Sequence, residues 1–268
     1  MELWIDTHVH LQDESFADDL DLIMLRARQA GIATMVCNGT CQSDWSLVVK
    51  LARQYRNIVL FLGLHPWFVK TRTADWLDEL EKVLTDIPGG LGEIGLDRCV
   101  EDYDEKAQEV VFCQQFDLAA RLNRPVTIHC VQAWGRLIEI LHAQRVLPPT
   151  MMIHAYGGPV ELIEPLAKMN VYFSFAASVL DPRREKARRA LQAVPEDRLL
   201  LETSSPELVP SERYRLEGSK LMADGRGRNE PANLPHFAEA IAELRGLSTL
   251  KLADLTTKNA RGFLKELM

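Results

Sequence analysis

No apolar run in the chain reaches the roughly 18 residues a membrane-crossing helix needs, so no bilayer span is expected. The N-terminal stretch MELWIDTHVHL lacks a basic segment leading into an apolar run and a small-residue cleavage site, so no secretion signal is expected. Cysteine is sparse. Cys37, Cys41, Cys99, Cys113 and Cys130 are odd in number and fall in no compact disulfide or zinc spacing. Free thiols and a cytoplasmic location follow as the expectation. Positive charge is not in surplus either. A formal net charge of −7 excludes strong binding to duplex nucleic acid through the phosphate backbone alone. Ions held in a pocket would still draw phosphate locally. The stretch THVHLQDES after the first apolar run has no glycine, which excludes a dinucleotide fingerprint there.

What the sequence does have is alternation. Short apolar runs stand at 3–6, 33–37, 58–63, 91–95, 125–129, 150–154, 171–175 and 199–203. Their near-continuous apolar character fits parallel strands covered on both faces. Between them lie stretches of helical period. Residues 18–29 carry Leu20, Ile23, Met24 and Ala27 at helical spacing, and 103–122 carry Ala107, Val110, Val111, Gln114, Leu118 and Ala119. Residues 135–144, 160–168 and 184–193 are similar, and 236–245 and 249–267 read as closing helices. Strand and helix alternating in this way predict a single-domain α/β (β/α)8 TIM-like barrel over residues 1–268, with an open doubly wound sheet as the competitor. The segment 204–235, rich in Ser, Pro, Arg and Gly, reads as a loop over the pocket mouth.

Five of the seven histidines fall at or just after strand ends: His8, His10, His65, His129 and His154. In a barrel those ends meet on one rim, where active sites form. His8 and His10 are two apart, so in a strand they face the same way and can share an ion. Neutral imidazoles of this kind suit zinc, cobalt, iron or manganese. His142 and His236 sit in helical stretches and read as surface or structural groups. Glu93 interrupts an apolar strand, a costly place for a carboxylate unless it is paired or metal-bound. It either bridges two ions between the His8/His10 and His129/His154 pairs or forms a salt bridge to an inward Arg or Lys. Gly90, Gly92 and Gly95 around it allow close backbone packing.

The segments DTHVHL, GLHPW, GEIGLD, PVTIHC, MIHAYGG, LLLETSSP and RNEPANL, in that order over nearly the whole chain, resemble the successive signatures of the TatD-type metal-dependent hydrolases. The resemblance implies a TIM-like barrel holding one or more divalent ions (Zn, Mn, Mg or Co). It implies metal-dependent nuclease activity, often on single-stranded DNA ends. By position, His8 and His10 would hold one ion, Glu93 would bridge, and His129 and His154 would hold a second. His65 would face the substrate phosphate, and Glu202 would brace the site. Two residues past that Glu the family usually carries Asp. Here it is Ser204, whose neutral hydroxyl is a weak ligand and no base near neutral pH.

Paired ions about 3.5–4 Å apart suit in-line attack on a phosphodiester. The same rim also serves amide or lactone hydrolysis, or binding without turnover, because fold does not fix substrate. Candidate phosphate contacts are Arg98, Arg213, Arg215, Arg226 and Arg228, while Arg183, Arg184, Arg188 and Arg189 read as helix surface. Trp67, Phe68, Trp134 and Tyr156 follow strand ends and are candidates for stacking on bases.

Overall fold

The computed structural model describes residues 3–216, 220–222 and 224–267. The strands are β1 (Trp4–Val9), β2 (Ile32–Asn38), β3 (Ile58–Leu62), β4 (Gly90–Asp97), β5 (Val126–Val131), β6 (Met151–Ile153), β7 (Val171–Phe175) and β8 (Leu199–Leu201). All eight pair in sequence order, and each neighbouring pair is parallel. The barrel closes just beyond β8. There the Ser204 amide donates to the His8 carbonyl at 2.9 Å, and the His10 amide donates to the Ser205 carbonyl at 2.8 Å. An open doubly wound sheet is thereby excluded.

The helices are α1 (Leu20–Gln29), α2 (Trp45–Gln54), α3 (Trp76–Asp86), α4 (Glu105–Arg121), α5 (Trp134–Ala143), α6 (Ile163–Lys168), α7 (Glu185–Ala193), α8 (Leu234–Arg245) and α9 (Thr249–Leu264). Two of them, α2 and α3, lie outside the segments singled out by periodicity. Each buries one stripe at helical spacing: Trp45, Val48 and Leu51 in α2, and Trp76, Leu80 and Leu84 in α3. The phase of α4 also differs from expectation. Val110 and Gln114 face solvent, while Phe112 and Phe116 fill the core beside Val111 and Ala119. Two buried glutamines complete that face by bonding to main chain near the rim. Gln115 accepts from the Leu64 amide and donates to its carbonyl at 2.7 and 3.1 Å, and Gln108 does the same for Asp97, at 2.9 Å in both bonds.

The barrel interior is filled. Ile5, Val36, Phe61, Met152, Tyr172 and Leu200 form one buried cluster with Phe263 and Leu264 of α9, so the C-terminal helix plugs one end. Side chains two positions further along a strand share its face. The step from Met152 leads to His154, and that from Leu200 leads to Glu202. The core is thus apolar at the plugged end and polar at the rim. β6 and β8 are shorter than their apolar runs suggested. The amides of His154 and Glu202 still bond across the ladder, to Ile128 and Phe175, and then Ala155 (φ 43°) and Ser204 (φ 52°) turn the chain away. Left-handed backbone ends an extended run. At Gly95 (φ 152°) an added Cβ would lie 1.9 Å from the His129 carbonyl oxygen, so only glycine lets β4 and β5 approach.

The segment after β8 carries two short 3-10 turns, Glu212–Tyr214 and Pro231–Asn233, and an isolated bridge between Leu221 and Gly227; residues 217–219 and 223 of the expected mouth loop lie outside the described residues. Its far end is fastened firmly. Arg228 is buried and makes two 2.8 Å bonds to Asp19. Asn229 donates to the Thr203 carbonyl at 2.9 Å, and Glu230 pairs with Arg26 at 2.6 Å. No helix among the described residues is long and apolar enough to cross a membrane.

Candidate metal centre

Glu93 is buried on β4, where the register slips between Leu91 and Ile94. Around its carboxylate stand the five rim histidines. Oε2 lies 3.2 Å from His8 Nε2 and 3.4 Å from His10 Nε2. Oε1 lies 2.8 Å from both His129 Nδ1 and His154 Nε2, and 3.2 Å from His65 Nε2. Among the described residues no Arg or Lys pairs with Glu93, so the salt-bridge alternative is removed. The remaining two histidines, His142 and His236, are exposed on α5 and α8.

The partners of the outer ring nitrogens fix which atoms face inward. His10 Nδ1 lies 2.9 Å from the Asn38 carbonyl oxygen, which can only accept, so Nδ1 carries the proton and Nε2 offers a lone pair. His129 Nε2 donates to Asp97 Oδ2 at 3.0 Å, which turns Nδ1 towards Glu93; burial acts to lower this imidazole, but its bonds to the two carboxylates outweigh it and raise it. His154 Nδ1 points at Glu202 Oε1 at 3.4 Å, and Ser174 donates to the other Glu202 oxygen. This is the arrangement in which outer partners orient metal-ligating histidines. His65 is different. Its Nδ1 accepts from the Trp67 amide at 3.2 Å, so its Nε2 carries the proton and presents a donor to the site.

Inner nitrogens of His8, His10, His129 and His154 thus converge on one buried carboxylate. His8 Nε2 stands 3.0 Å from His10 Nε2, and the two contribute to the same crowding. A carboxylate held this far from water needs positive charge beside it, from protonated imidazole or from a metal ion. Three overlapping donor groups have the spacing to hold one: His8/His10/Glu93, His8/His154/Glu202 and His65/Glu93/His129. The proton on His65 Nε2 sets that residue apart from the ligand set. The residues present therefore fit divalent ions.

The electrostatics agree. Burial acts to raise the Glu93 carboxyl, but the surrounding imidazoles, His154 foremost, outweigh it and hold the group well below its usual range. Burial likewise acts to lower His154, but Glu93 and Glu202 push it up to about 10. A proton there does part of the work of a cation. His8 is pressed down to about 4 by burial and then by the neighbouring His154, whose ring stacks on it at 4.1 Å. Burial also lowers His65 to about 4. Both are neutral near pH 7.

Ser204 lies beside this cluster, tied to His8 through the backbone. Its hydroxyl has no hydrogen-bond partner among the described residues, and its φ of 52° is a conformation Asp and Asn adopt more readily than Ser. Glu202 is fully buried behind His154.

Other candidate residues are placed elsewhere. Arg228 is a buried structural partner of Asp19 rather than a phosphate contact. Arg98 pairs with Glu105, Arg226 with Glu207 and Asp224, and Arg215 approaches Glu212 at 3.7 Å. Arg213 lies over the Tyr214 ring at 4.4 Å. Tyr156 is buried, with its hydroxyl bonded to the Pro159 carbonyl and its ring between Trp134 and Phe173, so it has no face to offer a base. Trp67 is 57% exposed at the rim, next to His65.

Sequence reasoning missed Asp97 and Asn38, which bond the outer nitrogens of His129 and His10, and Ser174, which bonds Glu202. Asp97 had a signal. It stands four positions after Glu93 on the same strand, hence on the same face. Also missed was the pair that stitches β1 to the end of β8: buried Asp6 accepts from the Thr203 amide at 2.9 Å and from its hydroxyl at 2.6 Å.

Comparison with known proteins places the whole chain in one family. The family model described as TatD-related DNase matches residues 5–265. The uncharacterized metal-dependent hydrolase YabD of Bacillus subtilis is 30% identical over 262 residues, covering 96% of each chain. A 3'-5' ssDNA/RNA exonuclease TatD of Erwinia tasmaniensis is 32% identical, with 96% of this chain and 97% of the relative aligned. The crystal structure of the TatD homologue YjjV from Escherichia coli superposes with a TM-score of 0.88 at 26% identity, covering 97% of each chain.

Proposed function

Because the chain belongs to the TatD-related DNase family and is a metal-dependent hydrolase, we propose that it cleaves phosphodiester bonds at the ends of single-stranded nucleic acid, DNA foremost. The activity named for the Erwinia relative supports that substrate class. The observation that carries the reading is the convergence of five imidazole nitrogens on the buried Glu93 carboxylate, with His65 Nε2 presenting an N–H to the same spot.

His8, His10, Glu93, His129 and His154 are the residues that would hold the metal. Bound divalent ions supply positive charge for the phosphate and lower the pKa of water. His65 donates a hydrogen bond from Nε2–H to a phosphate oxygen, which its tautomer permits. Asp97 and Glu202 keep His129 and His154 turned inward, and Ser174 fixes Glu202. Ser204 presents a neutral hydroxyl that orients water without taking its proton.

The test is nucleotide release from single-stranded DNA by chelator-treated protein, before and after restoring Mn, Mg, Zn or Co. Release that depends on the metal and disappears in His129→Ala is expected. Turnover of amides or lactones with none of DNA would overturn the substrate assignment.

A further inference from the structure

The protein has five tryptophans. Trp4, Trp45 and Trp76 are buried, and Trp134 packs edge-on against Tyr156 at 5.0 Å. Trp67 alone combines wide exposure, at 57%, with a place beside the metal centre. It follows His65 directly, in the short turn Pro66–Phe68, and meets the His65 ring edge-on at 4.9 Å.

An exposed indole on a loop would ordinarily sample several rotamers. This one is tethered. Its Nε1 donates to Asp97 Oδ2 at 2.7 Å, the same oxygen that accepts from His129 Nε2. Asp97 is itself immobilised: its Oδ1 accepts from the Cys99 amide at 2.7 Å, and Gln108 clamps its backbone amide and carbonyl. The polar edge of the indole is thus satisfied on a buried carboxylate while much of its apolar surface stays open to solvent. A ring held in this way loses little freedom when a flat ligand lands on it.

We infer that Trp67 is a stacking platform for the unpaired nucleobase next to the scissile phosphate, with its plane fixed by Asp97. This rests on the phosphodiesterase reading for the phosphate and adds the recognition of the base. The Nε2 donor of His65 marks where the phosphate oxygen binds, and the indole lies one ring away on the outer side. A base within a duplex already has neighbours on both faces; the base of a frayed or single-stranded end has a face free. Stacking of this kind is tolerant of sequence, since every base offers a π face. The platform therefore selects unpaired ends without selecting a particular base. Asp97 is a positioning residue that serves both the base platform and the metal ligand His129.

Two oligonucleotides test this, identical except that one carries an abasic residue at the terminal nucleotide. The protein as it stands should show a KM about fivefold to a hundredfold lower on the ordinary strand. In Trp67→Ala that ratio should fall towards one, and in Trp67→Phe it should partly return. A ratio that Trp67→Ala leaves unchanged overturns the inference. A second readout needs no turnover. Titrating a short single-stranded oligonucleotide with hydrolysis-resistant phosphorothioate linkages into metal-loaded protein should quench indole fluorescence, with the quench lost in Trp67→Phe and kept in Trp134→Phe. No quench in the unaltered protein also overturns the platform. Quenching without nucleotide release under any metal would refute the phosphodiesterase reading alone.

Discussion

The Asp19–Arg228 pair makes a measurable claim about stability. Asp19 lies at the N-terminal edge of α1, and Arg228 sits in the segment that returns from the long loop after β8. Arg228 bonds both Asp19 oxygens at 2.8 Å, and Lys220 adds a contact at 3.1 Å. The Arg228 bonds, opposed by burial, bring the Asp19 carboxyl down from 3.8 to about 2. A carboxyl depressed in the folded state stabilises fully above its unfolded pKa. That contribution is lost as pH falls through the folded pKa. The shift corresponds to about 2 kcal/mol at neutral pH. For a chain of this size that is a melting shift of roughly 4–8 °C. Asp19→Asn removes the charge and strands a buried guanidinium, so the variant should be destabilised at pH 7 by at least that amount. Urea unfolding at pH 7, 5, 4 and 3 should show the gap between the two proteins constant down to about pH 4 and closing below it. A gap that stays constant through pH 3 would refute the assignment of the shift to this pair.

Three further outcomes are expected. Ser204→Asp should raise kcat for nucleotide release by tenfold or more, because the backbone there suits aspartate and a carboxylate at that place can orient and deprotonate water; unchanged or lower kcat with metal still bound would count against it. Asp97→Asn should weaken metal binding by about tenfold to a hundredfold in calorimetric titration, since whichever way the amide lies its NH2 group faces the Cys99 amide or the His129 and Trp67 donors. In native protein at pH 8 a thiol reagent should label exposed Cys99 and spare Cys37 and Cys130, whose thiols burial pushes up to about 12; rapid labelling of either buried thiol would contradict that packing.

Much of this was legible in the residues. Apolar runs at the right intervals gave the strands, because strands buried on both faces leave a continuous signal. Histidine at the ends of strands one, three, five and six pointed to a cluster on one rim, because barrel topology brings those ends together, and all five do stand around Glu93. Glu93 stood out as a charge where a charge is costly. What stayed hidden had no local signal. Gln108 and Gln115 lie outside the expected apolar stripe of α4, yet both are buried and bond to rim backbone. The carbonyl of Asn38, which sets the His10 tautomer, leaves no trace in a side-chain pattern. Arg228 looked like a phosphate contact because an arginine in a loop carries no mark of burial, and Asp19, its partner, lies 209 positions away. Tyr156 followed a strand end as Trp67 did, and only tertiary packing separates a buried ring from an open one.

The barrel seam has a consequence for when the protein becomes active. Asp6 and Thr203 are 197 positions apart, and their bond, with the adjoining one from Ser204 to His8, joins the first strand to the end of the last. His8 on the first strand and Glu202 after the last are brought to His154 only when that seam forms. A chain ending between residues 155 and 202 carries all five histidines of the cluster and yet lacks its closed wall. Closure of the barrel, and with it the meeting of His8, His154 and Glu202, therefore waits on the end of the last strand.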